Sequence, residues 1–233
     1  MKLAIMQPYF LPYIGYFQLM HAVDSFVFLD DVNFIRRGWI QRNRVLHQDK
    51  PLLFTIPVNG ASQNRKICEL ELMKDGKWQG KLLRLFQHSY AKAPTFDATF
   101  PLLEELVNHP DRRLNTFLAN SLKRLAKHLD LPVQIYMASE LGISRELSGA
   151  ARILAFCKSL NAKQYINSIG GLELYQREAF AKDGIELSFL KSLPKPYRQS
   201  ESQTFLPNLS VVDTLMFNDQ ASFPALLSGY QLV

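Results

Sequence analysis

The sequence predicts an α/β fold built on a mostly parallel sheet with flanking helices. Three observations carry that expectation. Short apolar runs alternate with stretches of helical spacing, the alternation resumes after a block of helices, and polar segments follow directly on the apolar runs. At 233 residues and 47% hydrophobic content the chain can bury a substantial core, and its length suits one domain over 1–233 better than two.

Lys2 to Met6 reads as a short buried strand, stopped by Pro8 and followed by a turn through Pro12 and a helix from Tyr13 to Ala22. Asp24-Ser25 resets the chain, and Ser25 to Leu29 forms a second apolar strand that ends on Asp30-Asp31. Such a strand-helix-strand unit crosses over right-handed. Leu52 to Ile56 reads as a third strand, and Ile67 to Leu72 alternates apolar and charged residues as an exposed antiparallel edge or hairpin would. Between them lies the polar turn Asn59 to Asn64. Trp78–Tyr90, Phe100–Asn108 and Arg113–Leu129 have helical spacing, with Leu114, Phe117, Leu118, Leu122 and Leu125 on one face. This helical insertion, residues 78–129, is expected to form a lid or flank. Val133–Met137, Gln164–Asn167 and Ile185–Leu190 then read as strands, separated by helices Ser144–Leu160 and Leu172–Lys182, in the rhythm of a doubly wound sheet. Lys191 to Asn208, with three prolines, reads as a long ordered loop, and the tail from Leu209 as short helices packing back.

Composition narrows the function classes. Cys68 and Cys157 are too few and too isolated for a disulfide framework or thiolate metal site, so packing in a reducing, cytoplasmic compartment is expected. The apolar run at Met1–Met6 is stopped by Gln7-Pro8 well short of a signal core or membrane span. The +6 charge favours anionic ligands, but the basic residues are scattered, so nucleic acid has no support beyond the charge itself. His21, His47, His88, His109 and His128 lack paired metal-ligand spacing, and no metal is expected. There is no acyl-hydrolase elbow and no kinase set.

Three polar segments, each after an expected strand, are candidates for a site, because open α/β sheets bind ligands beyond the carboxyl ends of their strands. In the first, Gln7 and Tyr9 offer donors, acceptors and a stacking face; Tyr13, Tyr16 and Phe17 read better as core, and Gly15 as room for helix–sheet packing. In the second, Asp30 and Asp31 suit a base or a partner for sugar hydroxyls. Arg36, Arg37, Arg42 and Asn43 would clamp phosphate or carboxylate, and Trp39 would stack. An internal Asp–Arg network that fixes the loop is the equal alternative. In the third, Asn167, Gly170, Gly171 and Glu173 follow a strand; the glycines either cradle an anion or supply the dihedrals of a tight turn. Lys92, the Ser62-Gln63-Asn64 turn, and Tyr197, Arg198 and Gln199 on the long loop are isolated candidates, each with a plain structural reading beside it.

Several of these segments, in order, resemble the markers of the WbqC-like family: Met6-Gln7-Pro8-Tyr9-Phe10-Leu11-Pro12-Tyr13-Ile14-Gly15-Tyr16-Phe17, Asp30-Asp31-Val32, Arg36-Arg37-Gly38-Trp39-Ile40, Tyr90-Ala91-Lys92-Ala93-Pro94, Tyr165 to Gly171 and Leu215-Met216-Phe217-Asn218. The resemblance implies a bacterial protein from the setting of surface-polysaccharide assembly. A fainter likeness links the opening to nucleotidyltransferases with a His-Ile-Gly-His signature, which implies a Rossmann-like sheet. Here Tyr13-Ile14-Gly15-Tyr16 lacks both histidines, so nucleotidyl transfer by that route is not expected.

The expectation is therefore a transferase acting on a nucleotide sugar or similar phosphate-bearing substrate, with a noncatalytic binding or assembly protein of the same pathway as the alternative. The residues specify neither a cofactor nor an oligomeric state.

Overall fold

The computed structural model describes residues 1–199 and 204–233. β1 (Lys2–Met6) leads through a turn into α1 (Ile14–His21), which returns to β2 (Ser25–Phe28). The chain then leaves the central sheet. β3 (Arg42–His47) and β4 (Lys50–Thr55) form an antiparallel hairpin turned at Gln48 and Asp49, both left-handed, and the short pair β5 (Val58–Asn59) and β6 (Glu71–Leu72) follows. Helices α2 (Lys77–Tyr90), α3 (Phe96–Val107) and α4 (Leu114–His128) precede β7 (Gln134–Met137). The alternation resumes with α5 (Gly149–Ser159), β8 (Gln164–Ser168), α6 (Arg177–Ala181) and β9 (Glu186–Ser192), and ends with α7 (Val211–Phe217), α8 (Phe223–Leu227) and β10 (Tyr230–Leu232).

The six-stranded sheet runs β10-β9-β8-β1-β2-β7, parallel throughout except for the β9–β10 pair. From β1 the chain winds outward through β2 to β7, then crosses back over to β8 on the other side of β1. The winding reverses there, so the carboxyl ends of β1 and β8 flank a switch point.

Alternation along each strand feeds two layers. Ala4, Phe26, Phe28 and Ile166 join a core with α1, α2, α3, α4 and α7, while Leu3, Ile5, Val27 and Tyr165 pack with Ile153, Phe156 and Phe180 of α5 and α6. Burial on both faces explains why β2 is an unbroken apolar run rather than an alternating one. The expected helical insertion joins the same core as the sheet face.

Several expectations change. Leu52–Ile56 supplies β4, in a hairpin apart from the sheet, where four of its first five residues are exposed. Its partner β3 is a strand not among those expected, because its Arg-Asn-Arg start has no apolar signal. Ile67–Glu69 is a 3-10 turn, which leaves Glu71–Leu72 to pair. Leu172–Lys182 is not one helix but the end of a 3-10 segment, Ile169–Leu174, and then α6. The helix expected from Ser144 starts at Gly149, whose left-handed backbone (φ 52°) breaks any earlier helical turn. Lys191 and Ser192 belong to β9 rather than the long loop, whose residues 200–203 lie outside the described residues. The tail adds an edge strand, β10, beyond the expected helices. Among the described residues no helix is long and apolar enough to cross a membrane.

Candidate functional site at the carboxyl edge of the sheet

The turn after β1 is locked from several sides. Leu11 is left-handed (φ 46°), and its carbonyl accepts from Asn43 Nδ2 (2.8 Å) and Ser210 Oγ (2.7 Å). The Phe10 N–H donates to the Ile40 carbonyl (2.9 Å), and the Val211 N–H to that of Pro12 (2.7 Å). The Tyr16 hydroxyl donates to the Gln7 carbonyl (3.0 Å), and its ring meets that of Tyr9 at 5.7 Å. Burial raises the pKa of both phenols, that of Tyr16 well above the usual value, which favours their neutral form. The half-buried Gln7 side chain forms no hydrogen bond to a described residue and is available to a ligand. Gly15 makes room for a side chain rather than for the sheet: a Cβ there would come within 2.3 Å of the Tyr13 ring.

The twin acids at the end of β2 point to opposite layers. Asp30, wholly buried, accepts from the Ser139 N–H (2.9 Å), Ser139 Oγ (2.7 Å) and Asn115 Nδ2 (2.9 Å). Asp31 pairs with Arg152 of α5 (2.6 Å) and with half-exposed Arg145 (3.4 Å). An Asp–Arg network therefore exists, but its arginines come from the far side of β7 rather than from the Arg36–Arg44 stretch. One oxygen of Asp31, Oδ1, is buried without a hydrogen-bond partner, as is Arg152 Nε.

In the segment that follows, Arg36 and Arg37 are exposed, Arg37 in a left-handed conformation (φ 59°). Trp39 is 44% exposed, and the guanidiniums of Arg42 and Arg44 lie 5.7 and 5.5 Å from its ring. Arg42 Nε donates to the Gly38 carbonyl (3.0 Å). Asn43 is buried; besides donating to Leu11, it accepts from the Arg44 N–H (2.8 Å).

At the end of β8, buried Asn167 accepts from the Ser168 N–H (2.8 Å). Neither Gly170 nor Gly171 is left-handed, so the turn does not need glycine dihedrals. Gly171 is required instead by close approach: a Cβ would come within 2.2 Å of Asn167 Nδ2. Gly170 and Glu173 are exposed.

Because β1 lies between β2 and β8, the three segments share one end of the sheet. The acids and Asn167 are separated by two strand spacings, about 10 Å. Lys92, Arg198 and Gln199 lie elsewhere, on an open cleft of about 1090 Å3 beside the tip of the β3–β4 hairpin. Ser62 accepts from the Asn64 N–H within its own turn (3.2 Å). The cysteines fit the packing role: burial raises the Cys68 thiol pKa and pushes that of Cys157 up to about 12.

Sequence reasoning missed the partners of the acids, Asn115, Ser139, Arg145 and Arg152, and also Asp213. Asp213 is wholly buried and accepts from the hydroxyls of Tyr90 (3.1 Å) and Tyr197 (2.7 Å) and from Gln199 Nε2 (2.7 Å). The available signal for both Arg152 and Asp213 was a charged residue in the middle of an apolar helical run.

The chain matches the family model of the WbqC-like protein family over residues 7–224. It is 24% identical over 241 residues to "Uncharacterized protein Rv1507c" of Mycobacterium tuberculosis (strain ATCC 25618 / H37Rv), with 97% of each chain covered. No solved structure matches it.

Proposed function

The chain belongs to the WbqC-like protein family, and from that premise we propose a transferase of bacterial surface-polysaccharide biosynthesis that acts on a nucleotide sugar or a similar phosphate-bearing substrate. The sheet is then Rossmann-like in the nucleotidyltransferase sense, and the site is its carboxyl edge. The observation that carries this reading is the reversal of winding between β1 and β8, which makes neighbours of the Gln7 turn and the Asn167–Gly171 turn.

In this reading the exposed guanidiniums of Arg36 and Arg37, with Arg42, meet the anionic groups, and Trp39 covers a ring. Gln7, Tyr9 and Asn167 contact polar groups of the substrate, Gly170 and Gly171 let it approach the backbone, and Glu173 stands at the mouth. Asp31, with one oxygen unpartnered, is the better of the two acids to orient a hydroxyl or take its proton. Asp30 holds its loop in place through its three hydrogen bonds. The test is calorimetric titration of a panel of nucleotide sugars. Saturable binding is expected, weakened at least about tenfold (~1.4 kcal/mol) in both Arg37→Ala and Gln7→Ala. A panel that does not bind, or that binds the variants as tightly as the parent, overturns the reading.

One observation favours a second reading, a noncatalytic ligand-binding protein of the same pathway: both acids already have protein partners. That reading expects the same binding with no product from any donor and acceptor pair.

A further inference from the structure

β3 carries the chain away from the carboxyl edge. Its Asn43 end is held at Leu11, and Leu46, three residues or about 10 Å along the strand, borders the open cleft beside the hairpin tip. None of the residues lining that cleft takes part in the function proposed above. We propose that the cleft is a separate binding site for a small anionic metabolite, one that carries a phosphate or carboxylate on an apolar body.

The volume, about 1090 Å3, is on the scale of small-molecule sites. Its walls come from four distant stretches: the hairpin at Leu46–Asp49, the end of α2 with Lys92 to Pro94, the loop at Arg198-Gln199, and Phe217 of α7. A single buried group ties them together. The Tyr90 hydroxyl accepts from the Leu46 N–H (2.9 Å) and donates to Asp213, which also receives Gln199, while the Tyr90 ring meets Phe217 edge-on at 5.9 Å. Walls fixed in this way need little ordering when a ligand arrives, which lowers the cost of binding.

The lining also selects the class of ligand. Among the described lining residues two cations, Lys92 and Arg198, stand against one acid, Asp49. Lys92 is exposed and pairs with no carboxylate among the described residues. Alongside these polar groups, Leu46, Ala93, Pro94 and Phe217 line the same cleft and offer apolar surface to the body of the ligand. Two segments that the sequence singled out, Tyr90–Pro94 and Leu215–Asn218, meet here.

The experiment is a 15N-resolved NMR titration of the full chain with phenyl phosphate and, separately, benzoate, using benzyl alcohol as the neutral control. Saturable shifts are expected at the amides of Ser89, Ala91, Lys92 and Phe217 with at least one anion, and the stronger of the two identifies the anionic group. Benzyl alcohol should bind at least about tenfold more weakly. Lys92→Ala should weaken the anion at least about tenfold, and Lys92→Arg should hold it within about threefold. Arg37→Ala, at the carboxyl edge, should change nothing, which separates failure here from failure of the proposed transferase site. Any of four outcomes overturns the proposal: no saturable shift, shifts that gather on Gln7 and Asn167 instead, equal binding of the alcohol, or a Lys92→Ala variant that binds as the parent does.

Discussion

Asp213 is a carboxylate buried among neutral donors, with no cation among its described partners. Burial raises its pKa above the ordinary carboxylate value, against the lowering effect of its three hydrogen bonds. The folded state therefore binds the proton more tightly than the unfolded chain. The resulting stability is fully present below the unfolded pKa and is lost as pH rises through the folded one. Asp213→Asn removes this titration and also at least one acceptor, a cost of about 1–3 kcal/mol. That cost should be larger at pH 4.5 than at pH 7.5 in urea unfolding; a pH-independent difference would show that the group does not titrate in this window. The residue also shows what a sequence hides. Val-Val-Asp-Thr-Leu-Met shows a charge within an apolar run but not what holds it, because the donors to that acid lie 123, 16 and 14 residues away. That Arg36 and Arg37 stand exposed involves no distant partner, so nothing about it is hidden in the same way.

At the scale of elements, the alternation of strands and helices was legible because each strand of the parallel sheet is apolar on both faces. The hairpin was not: β3 opens with Arg42-Asn43-Arg44, and its register is set by pairing with β4 and by Leu11, neither visible in its own residues. The ties between elements were equally hidden. Asp31 fastens the end of β2 to α5 through Arg152, both nearly unexposed. Arg152→Ala leaves that carboxylate with only half-exposed Arg145, so a loss of about 3 kcal/mol is expected in chemical denaturation. Adding Asp31→Asn should recover part of it; a double variant no better than Arg152→Ala would mean that the guanidinium matters for packing on Phe156 (5.4 Å) rather than for charge. The Gly170-Gly171 turn offers a sharper contrast. Gly171→Ala must displace the buried Asn167 amide and should cost about 1–3 kcal/mol. Gly170→Ala, whose nearest neighbour would be Ser168 Oγ at 3.9 Å, should stay within about 0.5 kcal/mol. Equal losses at the two positions would place the requirement in the backbone after all.

For the molecule as a whole, the strand order decides whether three separate polar turns amount to one site. The sequence offered the turns and a parallel sheet but not the order, since a crossover from β7 to either edge of the sheet leaves the same local pattern. Only the return to β8 beside β1 places Asn167 next to Gln7 while Asp31 lies on the other flank. A ligand bound across the switch point should therefore slow amide hydrogen exchange in all three turns together, at Gln7–Tyr9, Asp31–Arg37 and Asn167–Gly171. The β9–β10 edge, at the far side of the sheet, should exchange as before. The measurement requires only a nucleotide sugar that binds, so it applies whether the protein turns its ligand over or merely holds it. Protection confined to one of the three turns would mean that the other two are held by their own protein partners. The Asp30 and Asp31 network would then be a brace between β2, α4 and α5 rather than part of a reaction centre.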